Sequence, residues 1–406
     1  MRVVGFHLMP WTEVEHAVAW PFSEDEYDPE LGHELYEQYL GQLELCEEVG
    51  FDVVGVNEHH YSSYGLMPSP NLMASRLIEC TDDIRIAVMG NILPLRGHPV
   101  RIAEEVAMLD VMSDGRLVSG FVRGIPSEYA AYGVDPDQSR ARFSEATELI
   151  TRAWTDPEPF DFDGELYQYD DVYIWPRPIQ DPHPPLWMPA ESEKSIRFAA
   201  ERRIPIGRVF AGTQNCADTF NRYREIAETE YDWTPTSDYF WPCRFVYVSE
   251  SNEQARAETE EHVEYFYEKL LGALYKSGAV KAVGDSEYRE ENAFEYEAKA
   301  KDVNSLAEKA MDPDFDELQQ TGEIIVGDAE YVTDEIERQY ETMGGFGTLI
   351  NLFHVGTLPD ELTRQSLRRF GNEVLPEIRD LCDDIDLSEF ARRQAEAQQA
   401  PTEPSG

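Results

Sequence analysis

The chain has 406 residues, enough to bury one large core, and its 80 acidic against 34 basic side chains give a formal net charge of −46. Such a field opposes nucleic acid and anionic membranes alike, which excludes both as unaided partners. Only seven of the cations are lysine, and so acidic a surface suits multimolar salt, where a Debye length of about 3 Å screens self-repulsion; a halophilic cytoplasm is the expected setting.

The first residues, Met1-Arg-Val-Val-Gly-Phe-His7, begin a strand over 3–9 and lack the long apolar core of a signal peptide. No run reaches the roughly 18 apolar residues of a membrane span, so a soluble cytoplasmic protein is expected. A long loop over 11–32, carrying Trp11, Trp20, Phe22 and Tyr27, leads to a helix whose apolar face is Tyr39, Leu40, Leu43, Cys46 and Val49. Gly50 stands where a left-handed residue ends a helix. Strand 51–57 runs into Glu58-His59-His60, strand 84–93 contains Gly90-Asn91, and strand 116–122 is followed by Arg123. Between the last two, Pro99 opens a helix with Ile102, Ala103, Val106, Leu109 and Met112 facing inward. Further strands are expected at 185–189, 204–209, 243–248 and 348–355. Strand then helix, eight times, predicts an α/β fold, a TIM (β/α)8 barrel filling residues 1–390 as one domain, with irregular insertion loops at 11–32, 156–184 and 276–322. Residues 391–406 lack apolar periodicity and read as a disordered tail. Five cysteines, at 46, 80, 216, 243 and 382, have no CxxC spacing, which argues against a disulfide framework or a zinc site.

Polar residues at the C-terminal ends of parallel strands mark the ligand face of a barrel. His59 there can act as acid, base or hydrogen-bond partner, or be a hydrogen-bonded core residue. Neighbours on a strand point to opposite faces, so Glu58-His59-His60 is a poor metal set and no metal is expected. Gly90 permits a strained or cis peptide before Asn91, whose amide would face a heterocycle. Ala190-Glu191-Ser192 ends a strand, and Ser192 to Ser195 starts a helix, which reads either as simple N-capping or as an anion site built from free N–H groups and hydroxyls. Arg123 and Arg140, at loop edges on the same face, supply planar donors matched to phosphate, though either alone also reads as a salt bridge. Met9, Trp11, Tyr61, Phe210 and Trp241 are candidate lining for an apolar substrate, or core.

Gly50-Phe-Asp with Glu58-His-His-Tyr61, Leu93-Pro94 with His98-Pro-Val-Arg101, Met112-Ser-Asp-Gly-Arg116, Val122-Arg-Gly124, Ser139-Arg140, Ala190-Glu-Ser192, and Val326-Gly327 through Leu375-Pro376 occur in one order. This ordered set resembles the bacterial luciferase-like family of flavin-dependent monooxygenases over most of the chain. The resemblance implies a barrel holding reduced FMN, where flavin and O2 give a hydroperoxide that oxygenates a small apolar organic substrate. It implies His59 as the catalytic histidine, and a phosphate site of Arg123, Arg140, Ser192, Ser195 and the Glu191 N–H, with Ala190 in the same motif. Gly90-Asn91 falls where the family has a non-prolyl cis peptide beneath the flavin, and Val122 stands in place of the luciferases' reactive cysteine. A homodimer packed through the second and third helices is implied, with His60 facing the partner subunit's Glu104. With no GxGxxG after a strand to hold NAD(P)H, a separate flavin reductase is expected to supply the cofactor. Two alternatives stand: hydride transfer with a deazaflavin on the same barrel, and a noncatalytic flavin-binding subunit.

Overall fold

A computed structural model of the chain describes residues 1–14, 27–272, 274, 309–310, 312–382 and 386–399. Eight parallel strands close a barrel: β1 (Arg2–Phe6), β2 (Val53–Val56), β3 (Arg85–Ile92), β4 (Leu117–Val122), β7 (Leu186–Pro189), β8 (Ile206–Arg208), β9 (Phe240–Val248) and β11 (Thr348–Leu352). Each pairs with the next in that order, and β1 closes on β11 from Arg2–Thr348 to Phe6–Leu352. These are the eight segments expected to be strands. They read as unbroken apolar runs because helices cover one face and barrel filling the other; all nine residues of β9 are buried. Between β4 and β7 in the chain lies the antiparallel hairpin β5 (Phe160–Asp163) and β6 (Gln168–Val172), and β10 (Ile324–Gly327) pairs with the C-terminal half of β9.

The helices of the first half are α1 (Pro29–Glu48), α2 (Pro70–Cys80), α3 (Pro99–Met112), α4 (Pro126–Tyr132), α5 (Ser139–Thr155) and α6 (Glu193–Glu201). Those of the second are α7 (Thr213–Glu230), α8 (Asn252–Tyr265), α9 (Phe315–Thr321), α10 (Ala329–Thr342), α11 (Asp360–Arg369), α12 (Leu375–Ile378) and α13 (Leu387–Gln399). Local chemistry explains their ends. Asp28 caps α1 by accepting from the Glu30 N–H at 2.8 Å with Pro29 at N1, and Gly50 just beyond the far end has φ +90°. Tyr39, Leu40, Leu43 and Cys46 form the buried stripe as the spacing predicts.

Four expectations need correction. Met112, expected inward, is 46% exposed, because at the last position of α3 its face has turned away from the barrel. The stretch 156–184 is not irregular throughout, since β5 and β6 pair from Phe160–Val172 to Asp163–Gln168. Within 276–322, Asp314 accepts from the Glu317 N–H and Gly322 takes φ +79°, so the last part is a capped helix, α9; residues 15–26, 275–308 and 311 lie outside the described residues. The tail expected to be disordered from 391 is helical through Gln399. There Phe390, Ala391, Gln394 and Ala395 recur at one helical face and are buried, and the Gln394 side chain bonds both the N–H and C=O of Leu186 on β7, at 3.0 and 2.9 Å. Among the described residues no helix is long and apolar enough to cross a membrane.

Candidate active site

At the C-terminal ends of the strands lies a cavity of about 990 Å³, at the upper end of the roughly 300–1,000 Å³ usual for cofactor and ligand sites. Of the expected site residues, His59, Gly90, Arg123, Arg140, Glu191, Ser192 and Ser195 line it; Asn91 and Ala190 do not. Both departures follow from the strand geometry. Asn91 points away from the cavity and donates to Asn71 Oδ1 on α2 at 3.2 Å, so it does not offer its amide to a ring in the cavity. Ala190 is buried backbone whose N–H bonds the Gly207 carbonyl at 3.1 Å, continuing the β7–β8 ladder.

Gly90 is fixed by the barrel wall. A Cβ there would stand 2.2 Å from the carbonyl of Gly120, so the close approach of β3 and β4 demands glycine. The Gly90–Asn91 bond is trans; the cis bonds among the described residues are Trp175–Pro176 and Asp181–Pro182.

One side of the cavity gathers donors. Ser192 caps α6, accepting from the Ser195 N–H at 3.3 Å, and the two hydroxyls are 3.0 Å apart. The capping reading therefore holds, and the same hydroxyls face the cavity beside Arg123 and Arg140. The Glu191 N–H is engaged by Ser195 Oγ at 3.2 Å, and its carboxylate pairs with Arg208 at 3.2 Å. Arg208, at the end of β8 and also held by Thr219, was invisible in the sequence because its role depends on a partner strand.

His59 lines the same cavity. Its Nδ1 lies 3.0 Å from Glu128 Oε1, with the imidazole 21% exposed and the carboxylate 1% exposed. Glu128 sits in the first turn of α4 and its other oxygen accepts from the Ile125 N–H at 2.9 Å. A carboxylate so anchored favours the tautomer with the proton on Nδ1, which makes Nε2 the acceptor nitrogen. Tyr64 packs edge-on against the imidazole at 4.6 Å, and burial, with Cys243 and Glu128 adding, holds its hydroxyl well above the usual tyrosine pKa, so it remains a neutral donor. Glu128 was missed in the sequence: Pro126-Ser-Glu128 signals only a helix start.

Glu58 and His60 form a different unit. Glu58, buried, accepts from His60 Nε2 at 2.6 Å, Arg96 at 2.8 Å and the Ile92 N–H at 3.0 Å, while the Tyr132 hydroxyl lies 3.0 Å from His60 Nδ1. His60 is thus satisfied inside its own chain, which corrects the expectation that it faces a partner subunit. Of the candidate lining residues, Phe210 alone borders this cavity: Met9, Trp11 and Trp241 are core, and Tyr61 is 60% exposed.

A parallel barrel with a His59–Glu128 pair and the capped start of α6 lining one cavity at its C-terminal mouth has the layout of a TIM-barrel ligand site. The chain belongs to the luciferase-like monooxygenase family, whose model matches residues 20–345. It is 25% identical to the oxygenase component of the flavin-dependent trigonelline monooxygenase of Acinetobacter baylyi over 86% of this chain and 91% of that protein. The alkanal monooxygenase alpha chain of Photorhabdus luminescens is 32% identical over 40% of this chain and 44% of that protein. An uncharacterised protein of Sinorhizobium fredii is likewise covered over only about half its length, 51%. Among solved structures, monooxygenase RslO1 of Streptomyces bottropensis superposes with TM-score 0.70 at 25% identity, covering 93% of this chain and 99% of that one. An F420-dependent secondary alcohol dehydrogenase shares the fold at TM-score 0.66 and 18% identity, with coverage of 93% and 99%. The chain is accordingly a flavin-monooxygenase homologue of the oxidoreductase class.

Proposed function

We propose that this protein is the oxygenase component of a two-component system, using reduced FMN from a separate reductase and O2 to oxygenate a small, largely apolar organic molecule. The observation that carries this reading is one cavity lined by His59 together with Arg123, Arg140, Ser192 and Ser195. The donor set fits a phosphate dianion: two guanidiniums, two hydroxyls and a helix N-terminus in a chain that otherwise repels anions. When bound, reduced flavin supplies the electrons that activate dioxygen. The chain's own residues do the rest. The phosphate donors fix the cofactor's register, Gly90, packed against Gly120, keeps its stretch of the lining free of a side chain, and His59 Nε2, oriented by Glu128, takes or returns a proton beside the reacting atoms. The similarity to the oxygenase component of a flavin-dependent monooxygenase supports the two-component reading.

The test is anaerobic titration with reduced FMN and with riboflavin, followed by rapid mixing with oxygen. Micromolar FMN binding, far weaker riboflavin binding, and a transient spectrum distinct from reduced and oxidised flavin are expected. Arg123→Ala should weaken FMN about 10- to 100-fold and leave riboflavin unchanged, the worth of a charged hydrogen bond. Equal binding of the two flavins would remove the phosphate site. Poor FMN binding with tight binding of a deazaflavin would favour hydride transfer, for which this fold has a precedent.

A homodimer through α2 and α3 belongs to the same proposal. Leu72, Met108, Val111 and Met112 leave apolar side chains 69%, 53%, 43% and 46% exposed on those two helices, surface that a partner subunit would cover. Light scattering should give twice the chain mass, and Leu72→Asp should return it to the monomer value.

A further inference from the structure

We infer that Phe210 is the end wall of the substrate chamber and sets the length of apolar chain that the site accepts. The inference rests on the apolar substrate proposed above, while its test needs no flavin. Phe210 follows β8 and lines two spaces at once: the large cavity and a void of about 10 Å³ behind it. That void is bordered by Cys243, Phe245, Val263, Phe266, Ile324 and Leu352, among others, and is close to the size of one water in surroundings that offer it little hydrogen bonding. Glu323 is the charged exception, and its carboxylate is already bound by Lys309 and by the Tyr267 hydroxyl, the latter at 3.4 Å.

Two further observations identify the ring as a built partition. Phe210 has φ +53°, a conformation that side chains with a Cβ seldom adopt and that persists only where the surroundings enforce it. The enforcing contacts are aromatic: Phe266 at 5.5 Å and Tyr267 at 6.2 Å, from the π-helical turn Phe266–Leu271 that continues α8. The strained backbone thus holds one phenyl ring across the passage between the chamber and an under-packed apolar region. Removing the ring joins the void to the space the ring occupied, of the order of the roughly 150 Å³ apolar cavity that admits a benzene-sized guest. The expected ligand is therefore a molecule with an apolar end that abuts Phe210, and longer homologues are refused there.

The experiment measures binding of n-alkan-1-ols, from butanol to dodecanol, to the full-length protein by calorimetry, in the wild type, Phe210→Gly and Phe210→Trp. Glycine accepts the positive φ without strain, which offsets part of the packing lost and keeps the variant foldable; circular dichroism and the melting transition confirm that. Affinity should rise about fourfold per methylene until the chain meets the wall, then level off. In Phe210→Gly the plateau should move out by two or more carbons, a gain of about fifteenfold for the longer alcohols, and in Phe210→Trp it should move in. The same plateau in all three folded proteins, or no alkanol binding in any, overturns the inference. FMN affinity measured on the same samples separates the two claims: a shifted plateau without FMN binding sinks the flavin proposal and leaves this one standing.

Discussion

His59→Ala is expected to lower single-turnover product formation by about 10²- to 10⁴-fold, the usual worth of a positioned acid–base group, while FMN affinity changes less than about threefold. The reason for the split lies in the geometry. His59 is held by Glu128 and Tyr64, whereas Glu191, Ser192 and Ser195 are tied to one another at the start of α6, so removing the imidazole leaves those donors in place. Both quantities come from one sample: FMN binding by anaerobic titration, turnover by mixing the loaded protein with oxygen and an accepted substrate. Unchanged turnover would remove His59 from the chemistry. Equal losses in binding and turnover would make it a structural member of the cavity wall.

The second large effect is on stability. His183 is fully buried, lies 2.8 Å from the Pro184 carbonyl through Nδ1 and has no partner at Nε2 among the described residues; burial lowers its pKa from 6.5 to about 4. Between those values the unfolded chain takes up a proton that the folded chain refuses. Its contribution is therefore complete above pH 6.5 and declines as pH falls toward 4, by about 3 kcal/mol in all. His7, lowered to about 3 by burial, and His354, lowered well below its ordinary value by burial and by the neighbouring His7 and His262, act in the same direction. The denaturant midpoint should thus fall steadily from pH 7 to pH 5. Molar KCl is the right medium, since it screens the changing surface charge. His183→Asn, which keeps a donor for the Pro184 carbonyl, should flatten the slope by about one proton; an unaltered slope would show that His183 is protonated equally in both states.

Most of the barrel was legible because parallel strands covered on both faces leave unbroken apolar runs, and all eight fell where those runs are. The site was legible in part. His59 and the Ser192–Ser195 turn are read from local signals, a strand end and a helix start, and both line the cavity. Glu128 and Arg208 were not, because each acquires its role from a residue distant in the chain, 69 positions away for His59 and 17 for Glu191. Asn91 failed for a subtler reason: the ladder shifts register between Val88 and Asn91, so counting alternate residues along β3 assigns it to the wrong side. The helix beyond residue 390 escaped because after Phe390 its buried face is made of two alanines and a polar glutamine, a stripe too weak to stand out from the surrounding Gln, Glu and Arg.

That glutamine bears on how the chain is made. The main-chain groups of Leu186 are paired by Gln394, so the start of the fifth barrel strand keeps two unsatisfied groups until 208 further residues have been made. Earlier βα units can assemble while the ribosome is still at work, but ring closure must await β11, and the start of β7 is fully paired only once α13 has docked. A chain cut short before residue 394 would therefore close its ring yet leave the Leu186 main chain unpaired, a local opening that docking of α13 removes.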